Sequence, residues 1–195
     1  MLRKCFMTFE KCKYINTVMS GFNKYWFFAG GWAIDLFLEK ETRDHHDIEI
    51  GIFREDQIKL KQFLSTWNFK KVFKGKFISW DDEYLELPIH EILATNNANY
   101  FELEILLNEC DAESWKFRRN LKISYPLQSI IMYFETGLPY LAPEIVLLYK
   151  VRNTREKDHK DFLSIKDCLK SNQQNWLRQV IKIHEPQHEW LQLLG

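Results

Sequence analysis

Residues 30–50 have the sequence GGWAIDLFLEKETRDHHDIEI, and this stretch decides the fold. Two glycines, Gly30 and Gly31, separate an aromatic run typical of a strand from an apolar run typical of a helix. Glycines at a helix start let the backbone approach a ligand closely, and the free N–H groups of the first turn bind phosphate. The pattern predicts a strand, a glycine turn and a helix that seat a nucleotide phosphate, with a plain tight turn as the alternative.

The end of the same stretch predicts a half-buried strand over residues 47–53. Isoleucines alternate with polar or small residues, so that Asp47 and Glu49 project together from the face opposite the isoleucines. Paired carboxylates are ligands that Mg²⁺ prefers, and a solvated strand face is the alternative. Because Asp47 follows Gly31 by sixteen residues, we interpret the turn and the strand as two halves of a nucleotidyl transfer site that holds one or two metal ions.

The hydrophobic periodicity of the remaining chain predicts an α+β fold. Helical spacing recurs over 9–22 and 55–67 and in three segments after Pro143, and strand-like runs occupy 25–28, 70–73, 77–80, 84–92 and 100–107. Prolines near residues 126 and 139 mark the change from strands to helices. We therefore predict a core over residues 1–125 and a helical C-terminal region over residues 126–195 packed on that core.

The amino-acid composition limits the classes of binding partner and the cellular compartment that we expect for this protein. The 195 residues carry 27 basic and 27 acidic side chains, so the chain lacks the basic excess that drives binding to duplex DNA. Cys5, Cys12, Cys110 and Cys168 form no C-x-x-C pair, and no signal sequence precedes them. No apolar run reaches the roughly 20 residues of a membrane-spanning helix. We expect a reduced, cytoplasmic protein without a membrane segment.

The residues from Gly30 to Asp35, together with Thr42, Arg43, His45, Asp47 and an acid at position 49, resemble a known signature. It is that of aminoglycoside 2''-adenylyltransferase-like proteins, which belong to the DNA polymerase beta nucleotidyltransferase superfamily. The resemblance implies a small mixed β-sheet flanked by helices and a helical C-terminal part. It also implies ATP as co-substrate, two Mg²⁺ ions and transfer of a nucleoside monophosphate to a hydroxyl. Gly30 and Gly31 would hold the triphosphate, and Asp47 and Glu49 the metal.

The superfamily also has a third carboxylate on a neighbouring strand, as metal ligand and base. Glu102 and Glu104 both fit, because they lie two residues apart on one face of a predicted strand. We select Glu104 for the catalytic role and keep Glu102 as a weaker candidate for substrate binding. Glu49 departs from the family, since the aminoglycoside enzymes usually have Asp at its position.

Basic residues complete the predicted site. Lys150 and the charged residues that follow it resemble a later K…R-x-K-x-x-D pattern of related nucleotidyltransferases, in which the lysine reaches the phosphates. A solvated basic face is the alternative for this segment. We also assign Arg43 to nucleotide binding; the alternative is an ion pair between Arg43 and Asp35 or Asp44. His45 could contact the ligand or simply pack in the structure. His90 is a weaker candidate for substrate contact.

The predicted acceptor is a small polyhydroxylated molecule that resembles an aminoglycoside. Because an aminoglycoside is polycationic, its pocket should be rich in carboxylates. The sequence offers five for this purpose: Asp81, Asp82, Glu83, Glu86 and Glu91. The alternatives are a protein or tRNA acceptor, as in toxin-type relatives, and a nucleotide-binding module without catalysis.

Overall fold

A mixed sheet of ten strands organises the molecule in the computed structural model, which describes residues 9–194. Within these residues the strands are β1 (Trp26–Phe28), β2 (Glu49–Phe53), β3 (Trp67–Phe73), β4 (Lys76–Ser79), β5 (Glu91–Asn96), β6 (Glu102–Cys110), β7 (Ser114–Lys116), β8 (Ser124–Pro126), β9 (Ile131–Tyr133) and β10 (Pro139–Leu141). The helices of the same region are α1 (Glu10–Val18), α2 (Gly30–Phe37), α3 (Gln57–Phe63), α4 (Pro143–Val151), α5 (Glu156–Ile165), α6 (Ser171–His184) and α7 (Trp190–Leu193).

Eight strands follow the order β4-β3-β5-β6-β2-β1-β10-β9, and β7 and β8 extend from β6. β2 runs parallel to β6, β1 runs parallel to β10, and the other pairs are antiparallel. Helices and strands are both extensive, so the predicted α+β class with a mixed sheet is confirmed. The C-terminal region predicted as helical also contributes β9 and β10 to the sheet.

The two central strands fix the positions of the acidic residues. Ile50 and Ile105 are partners across β2 and β6, and both are fully buried. Burial of such a side chain contributes about 1.5–3 kcal/mol. A slip of one residue would turn these isoleucines outward and bring Glu49 and Glu104 into the apolar core. The apolar face therefore specifies the register that places both carboxylates on the opposite face.

The strand predicted over residues 47–53 begins two residues later, at Glu49. On the β1 side the pairing ends at Phe28 and the chain enters α2 at Gly30, so β1 does not extend beside Asp47. Instead, the indole N–H of Trp32 donates to the backbone carbonyl of Asp47 at 2.9 Å. Asp47 lies in a bend before the strand.

The strand predicted over residues 84–92 is wrong for most of its length, because β5 begins only at Glu91. Side chains bind the backbone of the preceding segment. Arg54 Nη1 donates to the carbonyls of Leu85 and Ile89 at 2.9 and 2.8 Å, and the Leu85 N–H donates to Gln57 Oε1 at 2.7 Å. These backbone groups are satisfied without a partner strand. His90 consequently lies just before β5.

The other predicted elements are present. β3 and β4 confirm the predicted hairpin, and α4, α5 and α6 confirm the three C-terminal helices. The helices predicted over 9–22 and 55–67 are confirmed in shorter form as α1 and α3. Within residues 9–194, no helix combines the length and apolarity needed to cross a membrane. Cys12, Cys110 and Cys168 are free thiols, and Cys5 lies outside the described residues.

Candidate active site

A cavity of about 550 Å³ opens beside the start of α2. One wall consists of the glycine turn and the segment from Arg43 to Glu49, and β5 and β6 form the floor. The opposite wall comes from the segment after β7, from α4 and from the start of α5. Elements distant in sequence therefore converge on one concave site, and most of the predicted site residues line it.

The glycine turn is shaped by the side chains that pack against it. Gly30 has a φ of +56°, and a Cβ at this position would collide with the carboxylate of Glu49. A Cβ on Gly31 would collide with the ring of His45. Both positions therefore need glycine. Gly30 has a left-handed backbone and lies against the Glu49 carboxylate, and Gly31 lies against the His45 imidazole.

The predicted acids occupy the cavity floor and its rim. Glu49 and Glu104 are register partners on parallel strands, where neighbouring backbones lie about 4.8 Å apart. Both are half-buried and line the cavity, and the exposed Asp47 joins them from the bend before β2. Glu102 lies on the same face of β6 as Glu104, but it is exposed and does not line the cavity.

Burial and mutual repulsion both raise pKa values within this group of acids. Burial raises the pKa of Glu104 to about 7, and the negative charges of Glu49, Glu91 and Asp47, with that of Glu102, add to the effect. Burial and the charge of Glu49 also raise the pKa of Glu91. Negative charge is therefore concentrated on the floor of the cavity.

The same acids fit a divalent cation by charge and by ligand type. Within residues 9–194, none of Asp47, Glu49 and Glu104 forms an ion pair with a lysine or arginine. Carboxylate oxygens are hard ligands suited to Mg²⁺. In the part of the chain described, however, no three acidic, histidine or cysteine side chains are gathered closely enough to form a ready-made metal cluster. The three acids therefore suit a divalent cation because their negative charge is not compensated by a basic side chain and because their donor atoms are carboxylate oxygens.

Lys150 lines the cavity from α4, and two carboxylates hold it. Its Nζ lies 2.8 Å from Asp158 Oδ1 and 2.9 Å from Asp161 Oδ2. Arg155 Nε donates to Asp158 Oδ2 at 2.7 Å. Burial alone would raise the pKa of Asp158, but the bonds from Arg155 and Lys150 prevail and lower it to about 2. Lys150, Asp158 and Asp161 thus form a buried network at the cavity wall, whereas the basic residues Arg152, Arg155 and Lys157 are exposed.

Arg43 and His45 both line the cavity above Gly31. Arg43 Nη2 lies 3.5 Å from Asp161 Oδ2, so its carboxylate partner is neither Asp35 nor Asp44, the two weighed from the sequence. His45 Nε2 lies 2.7 Å from Asp35 Oδ2. The imidazole also packs on Trp32, with ring centroids 4.5 Å apart.

The Asp35 carboxylate is fully buried and also accepts from Thr42. This bonding fixes the loop that carries Arg43 and His45. His45 therefore combines packing with a place at the cavity wall.

The sequence predicted only some of the remaining residues that line the cavity. His90 lines the cavity, with Nδ1 at 2.8 Å from the carbonyl oxygen of Pro88. Of the five acids predicted for the acceptor pocket, only Glu91 lines the cavity, and Asp82 and Glu83 pair with lysines elsewhere. Arg118 and Arg119 also line the cavity. Nothing in their local sequence distinguished them from packing residues.

Comparisons with known proteins agree with this architecture. The structure of the lincosamide antibiotic adenylyltransferase LnuA with lincomycin bound shares 22% identity and a TM-score of 0.56, over 80% of this chain and 96% of that one. The structure of ANT(2'')-Ia in complex with adenylyl-2''-tobramycin shares 14% identity and a TM-score of 0.61, over 89% and 98% of the two chains. No curated protein sequence matches the chain.

Fold and site together define a nucleotidyltransferase: a mixed sheet, a glycine turn at a helix start, and carboxylates in register beside it. The family model for aminoglycoside-2''-adenylyltransferase matches residues 12–133, which is more than half of the chain. The chain belongs to the aminoglycoside-2''-adenylyltransferase family and is an enzyme. The resemblance noted from residues 30–50 is thereby confirmed.

Proposed function

We propose that the enzyme transfers AMP from ATP to a hydroxyl of a small polyhydroxylated acceptor and that the reaction requires Mg²⁺. The observation that carries the proposal is the register of Glu49 with Glu104, directly beside the glycine turn at Gly30. Membership of the adenylyltransferase family supports ATP as the donor.

Several groups that line the cavity are candidates for binding the triphosphate of ATP. We assign the N–H groups of Gly30 and Gly31 at the start of α2 to phosphate oxygens. Arg43 and Lys150 face the same cavity, and Asp161 holds both cations in place. The positions of these positive groups suit the charge of the leaving pyrophosphate.

Asp47, Glu49 and Glu104 would hold the metal. When bound, Mg²⁺ offsets the negative charge that develops on the phosphate oxygens in such reactions. The acceptor hydroxyl oxygen forms a bond to the α-phosphorus, and the bond from that phosphorus to pyrophosphate breaks. Glu104, which the strand register places beside Glu49, accepts the hydroxyl proton. The products are an AMP ester of the acceptor and pyrophosphate.

The cavity and the relatives support a small acceptor. A volume of about 550 Å³ lies in the range typical of sites for small molecules. The similar structures contain lincomycin and adenylyl-2''-tobramycin, and lincomycin and tobramycin are small hydroxylated molecules. These features favour a small acceptor over the protein and tRNA acceptors considered from the sequence.

The test follows pyrophosphate release and label transfer from α-labelled ATP with Mg²⁺. The acceptors are tobramycin, lincomycin, simple sugars and sugar acids, with a protein mixture and tRNA as separate arms. We expect an AMP ester of one small acceptor, together with loss of activity in Asp47→Asn. Asp44→Asn is the matched control, because Asp44 is exposed and does not line the cavity.

Transfer to protein or tRNA alone would replace the proposed acceptor class. ATP binding without any pyrophosphate above the Asp47→Asn background would favour a binding module.

A further inference from the structure

The loop between α4 and α5 sets the position of Lys150 relative to its carboxylate partners. Lys150 lies in the last turn of α4, whereas Asp158 and Asp161, which bond to it, lie in α5. Within the loop, Asn153 has a φ of +57°, a left-handed backbone that is uncommon for a residue other than glycine. Such a conformation persists where surrounding contacts hold it in place.

Thr154 and His188 provide contacts of this kind. Thr154 Oγ1 lies 2.9 Å from the backbone carbonyl oxygens of both Lys150 and Val151. These carbonyls belong to the last turn of α4, where helix carbonyls lack partners within the helix. The same hydroxyl lies 2.9 Å from His188 Nε2, and the backbone N–H of Trp190 donates to His188 Nδ1 at 3.2 Å. His188 is therefore linked to the end of α4 through one side chain.

The bond from Trp190 fixes the proton on the His188 ring. Because Nδ1 accepts the Trp190 N–H, the neutral ring carries its proton on Nε2 and donates a hydrogen bond to Thr154 Oγ1. Burial lowers the pKa of His188, although the charges of Glu189 and Glu185 act in the opposite direction. The Thr154 hydroxyl then donates to the carbonyls of α4. The neutral ring therefore satisfies both of its own bonds and orients the Thr154 hydroxyl toward α4.

Trp190 fastens the same C-terminal segment to α5. Its side chain is fully buried and stacks on Phe162, with ring centroids 4.1 Å apart. Its indole N–H donates to His159 Nδ1 at 3.0 Å. Both Phe162 and His159 lie in α5, the helix that carries Asp158 and Asp161. The segment from His188 to Trp190 thus contacts both of the elements that carry the Lys150 network.

We propose that His188 is a positioning residue for nucleotide binding, which acts through Thr154 to hold the end of α4 so that Lys150 meets the triphosphate. This inference rests on the proposed function, in which Lys150 binds ATP. In the part of the chain described, neither His188 nor Thr154 lines the cavity, so the effect is exerted through α4 and not by contact with the ligand. The family match ends at residue 133, and this support lies beyond it.

Two substitutions separate the two hydrogen bonds of His188. In His188→Gln the amide N–H group replaces the Nε2 donor to Thr154, and in His188→Asn the amide oxygen replaces only the Nδ1 acceptor for the Trp190 N–H. We expect His188→Asn to lower the affinity for Mg²⁺-ATP by about tenfold, and His188→Gln to keep it within about twofold. Thr154→Val should match His188→Asn, and the double variant should lose no more than either single one.

Calorimetric titration of Mg²⁺-ATP into the full chain measures these affinities, at a temperature at which every variant is fully folded. Gln187→Ala is the control, because Gln187 is an exposed neighbour in the same segment. A merely structural role would lower the melting temperature of His188→Asn and leave the ATP affinity of the folded protein unchanged. If His188→Asn does not unfold cooperatively, Thr154→Val takes its place.

A second measurement needs no nucleotide. Burial opposes ionisation of Asp158, but the bonds from Arg155 and Lys150 lower its pKa to about 2. If His188 holds Lys150 in place, this pKa should rise in His188→Asn and stay near 2 in His188→Gln. NMR titration of the side-chain carboxyl carbon measures it.

Three results would overturn the role of His188. The first is unchanged ATP affinity in both His188→Asn and Thr154→Val. The second is an equal loss in His188→Asn and His188→Gln, and the third is an Asp158 pKa that stays near 2 in His188→Asn. Failure of the unmodified protein to bind ATP contradicts the proposed function separately, and the titration of Asp158 then still tests whether His188 positions Lys150.

Discussion

At the scale of single residues, the site depends on what packs against the two glycines. Glu49 occupies the space beside Gly30, and His45 with Arg43 occupies the space beside Gly31. The glycines therefore bring an acid and two basic groups close to the backbone that is proposed to bind phosphate. The resemblance to the family signature identified the glycines, and only the structure shows which side chains fill the space that they leave.

Gly31→Ala tests this packing. The added methyl group forces His45 and Arg43 away from the turn, and overpacking of this kind typically costs about 1–3 kcal/mol. We expect ATP affinity to fall by about tenfold while the protein still folds. Calorimetry with Mg²⁺-ATP measures the effect, and Gly21→Ala is the control because its Cβ meets only the edge of the Phe63 ring, at 3.2 Å. Unchanged ATP affinity in Gly31→Ala would show that the turn does not bind the nucleotide.

The choice between Glu102 and Glu104 belongs to the same scale. Glu104→Gln should lower turnover by about a hundredfold or more, in line with the loss of a general base, and leave the fold intact. Glu102→Gln should have a small effect, because Glu102 is exposed outside the cavity. Steady-state kinetics on the acceptor found in the screen measures both variants. The reverse order of effects would assign the role to Glu102.

At the scale of elements, the sequence predicted periodic segments well and side-chain-bonded segments poorly. The helical spacing in α5 and α6 follows from burial of one face, which a local pattern reports. The loop before β5 contains apolar residues and resembles a strand, but Arg54 and Gln57 bind its backbone from a distant element. Arg43 likewise pairs with a residue 118 positions away. Local pattern carries no information about such partners.

The start of α5 provides a prediction about stability and pH. The pKa of Asp158 is lowered from 3.8 to about 2 in the folded protein, so its contribution is present above about pH 4 and is lost as pH falls toward 2. Asp158→Asn should lower the free energy of unfolding by about 2 kcal/mol at pH 7. The difference from the wild type should shrink at acid pH.

Urea denaturation between pH 2 and pH 7 measures this difference. Asp167→Asn is the control, because Asp167 is exposed and pairs with Lys166 at the surface, where such pairs contribute about 0–1 kcal/mol. Equal loss of stability in both variants at pH 7 would contradict a special role for the network around Lys150.

At the scale of the whole molecule, the sheet brings together site residues that are far apart in the sequence. β2 and β6 supply the acids, the turn before α2 supplies the phosphate seat, and α4 and α5 supply Lys150 and its partners. The family signature over residues 30–50 identified the glycines, Asp47 and Glu49. Glu104 lies outside that signature and was selected over Glu102, and Lys150 came from a second, looser pattern. The separation of most predicted acceptor acids from the cavity depends on tertiary packing that no motif records.

We propose that the acids and the glycine turn form one metal-bridged nucleotide site. The measurement that tests it most directly is calorimetric titration of ATP into the protein, with Mg²⁺ and with excess EDTA, because it needs no acceptor. We predict tight binding with Mg²⁺, much weaker binding in EDTA, and weakened Mg²⁺-dependent binding in Asp47→Asn but not in Asp44→Asn. Equal ATP affinity with and without Mg²⁺, or no binding in either condition, would contradict a metal-bridged nucleotide site.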